Sequence, residues 1–135
     1  MIEYLMKFLP YMLQSTVVTI EIFVLTLVLA LPLGLPIALG SNSRIKPLAW
    51  LCRLFVLVFR GTPLMLQLFF FYFFFPLVLH LQISVFLTVI LTFVLNYSAY
   101  LAEIYRGGIN SVDKGQHEAA FALGLSKKQT MLDII

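Results

Sequence analysis

The chain has 135 residues, 61% of them hydrophobic and 11% charged, with a net charge of +3 and a mean hydropathy of +1.01. Soluble domains carry roughly a quarter charged residues, so the composition excludes a water-soluble fold and indicates an all-α membrane protein. Runs such as FFFYFFFPLVL do not alternate as the strands of a membrane barrel must, and the single cysteine, Cys52, offers no internal disulfide.

In chain order, the first element is an apolar span over Thr16–Leu39, preceded by one cation, Lys7, and too long for a signal-peptide core. Glu21 falls near its outer end, within reach of water, and Pro32, Gly34 and Pro36 predict a kink in its inner half. Next comes PLAWLCRLFVLVFR, residues 47 to 60, apolar but carrying Arg53 and Arg60. It reads best as a helix entering from the interface, with extension of the following span as the alternative. The second span covers Gly61–Leu79, its helix starting as early as residue 48 on that alternative. The third covers Ser84–Tyr105. About three spans and a polar tail make one membrane domain over residues 1–135.

The cations set the orientation. Arg44, Lys46 and Arg53 lie between the first two spans, and Arg106, Lys114, Lys127 and Lys128 follow the third. Lys7 stands alone before the first span, and the loop around His80 has none. By the positive-inside rule the N-terminus is outside and the tail is cytoplasmic. The same distribution argues against nucleic acid as the partner of the basic charge, because the cations flank membrane spans.

The tail, residues 113–135, reads as two short helices meeting at a corner. Asp113 caps the first, with Gln116 three residues on as a capping-box partner; Ser126 and Gln129 repeat the pattern. Between them Gly124 suits a left-handed helix stop. A small-residue face on a cytoplasmic corner looks like a docking surface.

Here the residues carry a family resemblance. GQHEAAFALG, residues 115 to 124, resembles the EAA loop of ABC importer permeases: Glu-Ala-Ala, three residues, Gly, nine residues and Ile, the last matched by Ile134. RGTPLMLQLFFFYF from Arg60 and NYSAYLAEIYRGGINSVDKGQHEAA from Asn96 resemble blocks of the polar amino-acid uptake branch. Together they cover about half the chain. The resemblance implies the N-terminal part of the type I importer (MetI-like) transmembrane bundle, with about three membrane helices and a cytoplasmic coupling helix in a bacterial inner membrane. It also implies an ABC ATPase subunit, a second permease subunit, identical or different, and an extracytoplasmic amino-acid-binding protein. The family pattern continues with at least two further helices. The expectation is therefore either part of a longer permease or a shortened product that inserts or pairs with a permease without transporting. An unrelated secondary transporter or channel is a third reading, disfavoured by the EAA corner.

Site expectations follow residue by residue. The resemblance assigns ATPase docking to Gly115, Gln116, Glu118, Ala119, Ala120 and Gly124. Arg60, Gly61, Thr62 and Pro63 begin the second span: either Pro63 is an ordinary early-helix proline and Arg60 snorkels to the cytoplasmic interface, or the four form a packing or gating corner. Glu103 and Arg106, three apart on one helix face, either anchor at the interface or brace the bundle against the coupling element. Gln67, Asn96, Tyr97 and Tyr100 are polar groups inside spans. They either hydrogen-bond between helices or face the amino-acid path. No phosphate loop, nucleophile set or metal-ligand cluster is visible, so the chain is expected to be a non-enzyme without its own cofactor, ATP being bound by the partner ATPase. His117 lacks a second ligand nearby in sequence, and no metal site is expected.

Overall fold

A computed structural model describes all of residues 1–135 and is entirely helical. Helix α1 runs Ile2–Ser41, α2 Lys46–Gly61, α3 Leu64–Leu77 and α4 Val85–Ser111. A short α5 covers Lys114–Ala122, and a single turn, α6, covers Lys127–Gln129 and passes into a π-helical turn at Thr130–Ile134.

α1 is longer than the apolar span at its centre. Forty residues at 1.5 Å rise give about 60 Å, twice a hydrocarbon core. Residues 1–21 are exposed on every face, and packing begins at Thr26. From there Thr26, Ala30, Gly34 and Ala38 are buried at four-residue spacing, a single ridge along one side. Their smallness lets α4 approach closely, as membrane helix pairs require in the absence of a hydrophobic drive. A Cβ on Gly34 would lie 2.9 Å from Leu101 Cβ and 3.3 Å from the Ala102 backbone nitrogen. α1 and α4 run parallel: Gly34 abuts Leu101 and Ala102, and further along Asn42 Nδ2 donates to Asn110 Oδ1 at 3.0 Å. The helix continues through Pro32 and Pro36 without a break, and Tyr105 Oη donates to the Leu31 carbonyl at 3.3 Å.

α4 is the hub, packing against α1, α2 and α3. Ser84 caps it by accepting from the Leu87 amide. The core is Ala38, Val56, Ala99 and Ala102, with Ile37, Phe55, Phe59 and Tyr105 around it.

The segment 47–60 forms a helix of its own, α2, separate from the span that follows. α2 begins beside the end of α1, with Cys52 against Gly40, and buries Val56 among α1 and α4 residues. One side of it packs on the bundle, while Trp50, Leu51 and Leu57 stay exposed. α3 falls within the expected second span, 61–79, and a break at Thr62 and Pro63 separates it from α2. α2 and α3 meet at 107°, and the end of α3 lies beside Val85 and Thr88. The bent pair thus carries the chain from one end of the bundle to the other. Pro63 causes the break: it has no N–H to give, and it pushes Thr62 out of the helical region, to φ −116° and ψ 144°. Two helices, α1 and α4, are long and apolar enough to cross a membrane, and the bent pair makes a third crossing if taken together.

Candidate functional site

The bend exposes carbonyls that lipid cannot satisfy. Three side chains take them up. Thr62 Oγ1 donates to the Val58 carbonyl at 2.7 Å. Gln67 Nε2 reaches the Phe59 carbonyl at 2.9 Å and the Thr62 carbonyl at 3.1 Å. Asn96 Nδ2, from α4, reaches the Phe59 carbonyl at 3.0 Å and Gln67 Oε1 at 2.9 Å. Gln67 and Asn96 are buried, 7% and 4% exposed. Of the two roles open to them, the structure places their amides in helix-to-helix bonding at the bend.

Just beyond the bend lies a charged cluster. Glu103 accepts both oxygens' worth of bonds from Arg106, Nε to Oε1 and a terminal nitrogen to Oε2, each 2.8 Å. The Arg60 guanidinium approaches Glu103 Oε2 at 3.4 Å and lies over the Tyr100 ring, 5.3 Å from its centroid. Arg60 and Gly61 thus end α2, with Thr62 and Pro63 at the bend, beside Tyr100 and Glu103 of α4. Ion pairs this open to solvent, with 37–41% of the arginine side chains exposed, contribute about 0.2–1 kcal/mol each. Their effect is therefore on geometry: one carboxylate ties the end of α2 to the last turns of α4.

Tyr97 and Tyr100 sit on the exposed side of α4. Tyr97 borders a groove of about 510 Å³ between α1 and α4, lined also by Thr19, Thr26 and Phe93. Thr26 Oγ1 is buried there without a hydrogen-bond partner.

α4 passes to α5 through two extended residues, Val112 and Asp113. Asp113 Oδ1 accepts from the Gly115 amide at 2.7 Å. Its cap is one-sided, because Gln116 makes no return bond from its side chain; its backbone amide bonds the Asp113 carbonyl instead. The second box closes fully, Ser126 and Gln129 bonding each other's backbones. Between them Gly124 has φ +73°. The Gly124 amide donates to the Phe121 carbonyl and the Leu125 amide to the Ala120 carbonyl, each at 3.0 Å, the paired bonds of a Schellman stop. The corner is built from its own residues, α5 packing on the terminal turn.

Gly115, Gln116, Glu118, Ala119 and Gly124 are all exposed on this corner. Ala120 departs from the expected docking face: it is 2% exposed, because it faces the inside of the turn. Two residues not singled out in the sequence, Phe121 and Leu123, stand out on the corner at 85% and 79% exposure. The signal for them was large apolar side chains on an otherwise polar helix, falling in the motif's three unassigned positions.

Residues 30–135 match the family described as binding-protein-dependent transport system inner membrane component. The arginine transport system permease protein ArtQ of Bacillus subtilis is 40% identical over 93% of this chain and 58% of its own length. The L-cystine transport system permease protein TcyB of the same organism is 34% identical over 96% of this chain and 55% of its own. A crystal structure of an amino acid ABC transporter with histidines superposes with a TM-score of 0.85 at 34% identity, covering 96% of this chain and 60% of that one. The chain spans about three fifths of the length of such relatives. With the bundle, the motif order and the matched residues in agreement, the chain belongs to the inner-membrane permease components of binding-protein-dependent ABC transport systems.

Proposed function

We propose that this chain forms the N-terminal helices and coupling corner of a permease subunit importing polar amino acids. In this reading an extracytoplasmic binding protein delivers the substrate, an ABC ATPase subunit supplies the drive, and a second permease subunit completes the path. The relatives named for arginine and L-cystine transport support the substrate class. The cation distribution supports an outside N-terminus and a cytoplasmic corner.

The observation that carries the reading is the Gly124 corner. It closes on itself, shows Glu118, Phe121 and Leu123 to solvent, and is joined to α4 by two residues. An exposed aromatic beside a charge is the composition of an interface anchor. Movement of a docked ATPase would pass through Val112 and Asp113 into α4, whose Glu103 holds both Arg106 and Arg60. Arg60 begins the bend, so the brace connects the corner to the α2–α3 elbow.

The test is co-purification with the ABC ATPase. The unaltered chain is expected to retain the ATPase, and Glu118→Lys or Phe121→Ala to lose it while thermal unfolding stays unchanged, since both side chains are exposed. Full retention by both variants would refute docking through this corner.

A further inference from the structure

The brace leaves positive charge over. Arg53, Arg60 and Arg106 line one open cavity of about 690 Å³ with Val56, Leu57, Gly61, Tyr100 and a single carboxylate, Glu103. Three guanidinium groups against one carboxylate leave two charges unbalanced. Arg53 and Arg106 each keep terminal nitrogens for a further acceptor. Arg53 Nε donates to the Ser41 carbonyl at 3.2 Å, at the negative end of α1, and its two terminal nitrogens make no hydrogen bond within the chain. Arg106 uses Nε and one terminal nitrogen on Glu103. The other terminal nitrogen is unused. Arg60 is steadied by the Tyr100 ring.

We propose that this cavity binds the phosphate of an anionic phospholipid headgroup. Held, forked donors with a net positive charge match phosphate oxygens, and arginine meets them two at a time. The apolar wall identifies the source as lipid. Leu57 is 69% exposed beside the arginines, so an acyl chain can lie along α2 while its headgroup meets the cations. Arg44, between α1 and α2, and Lys46, the first residue of α2, extend the positive field where a negatively charged leaflet would meet it. The proposal rests on the membrane reading of the helices and the proposed orientation, not on transport, and its assay needs no substrate or ATPase.

The experiment is native mass spectrometry of the protein released from nanodiscs of mixed phosphatidylglycerol and phosphatidylcholine. Retention of phosphatidylglycerol in preference to phosphatidylcholine is expected, falling about fivefold in Arg53→Gln. Arg53→Lys, which keeps the charge but not the fork, should fall between. Equal retention of the two lipids by the unaltered protein would overturn the proposal without any variant. Displacement of the bound lipid by inorganic phosphate at physiological ionic strength would overturn the lipid as the source. An unchanged preference in a folded Arg53→Gln protein would place the lipid elsewhere.

Discussion

Replacing Gly124 with alanine isolates what the corner needs from its glycine. At φ +73° an L-residue suffers a clash between its Cβ and its own backbone, worth about 1–2 kcal/mol. A Cβ built there meets nothing within 4 Å, so no packing term adds to this cost or offsets it. The opening equilibrium of the corner should therefore shift by about 5–30-fold. The amides that report it are those of Gly124 and Leu125, bonded to the Phe121 and Ala120 carbonyls. In Gly124→Ala, hydrogen exchange at residue 124 and Leu125 should accelerate by that factor while α4 amides hold their protection. Asparagine tolerates the left-handed region better than alanine, so Gly124→Asn should lose less. A D-alanine introduced by semisynthesis should lose little, since its mirror geometry suits positive φ. Unchanged exchange in the alanine variant, or an acceleration spread equally through α4, would refute the argument that backbone handedness alone sets this corner.

Two further predictions concern the bundle. Gly34→Ala would push a Cβ to 2.9 Å from Leu101 Cβ and 3.3 Å from a backbone nitrogen, costing about 1–3 kcal/mol. Gly107→Ala, with open space around it in the same helix system, should be neutral or stabilising by up to about 1 kcal/mol. Thermal unfolding in detergent gives the order, and the reverse order would refute the close α1–α4 approach. Asn96→Leu and Gln67→Leu should each cost about 1–3 kcal/mol by leaving a buried partner unsatisfied. The double variant should cost less than their sum by about 0.5–3 kcal/mol, because each single change leaves the other amide of the Asn96–Gln67 bond unpaired and the double removes both; strict additivity would refute their coupling.

The sequence by itself determined the class, the corner and the family. Hydropathy is a sum over neighbours along the chain, so membrane helices show in it directly. The caps at Asp113 and Ser126 and the stop at Gly124 involve residues within about six positions of one another, and local geometry decides them. The ion pair of Glu103 with Arg106 was legible for the same reason, being three residues apart on one helix. Tertiary structure decided the rest. The bend at Pro63 is held by the Asn96 amide, 37 residues from the Phe59 carbonyl it serves, a partnership that no local pattern shows. Arg60 read as a residue reaching for water, yet it meets Glu103 across two helices. Ala119 and Ala120 are alike in composition and helix propensity. The fold of the corner buries one and exposes the other, because burial depends on what the second half of the turn covers, and no local pattern encodes that.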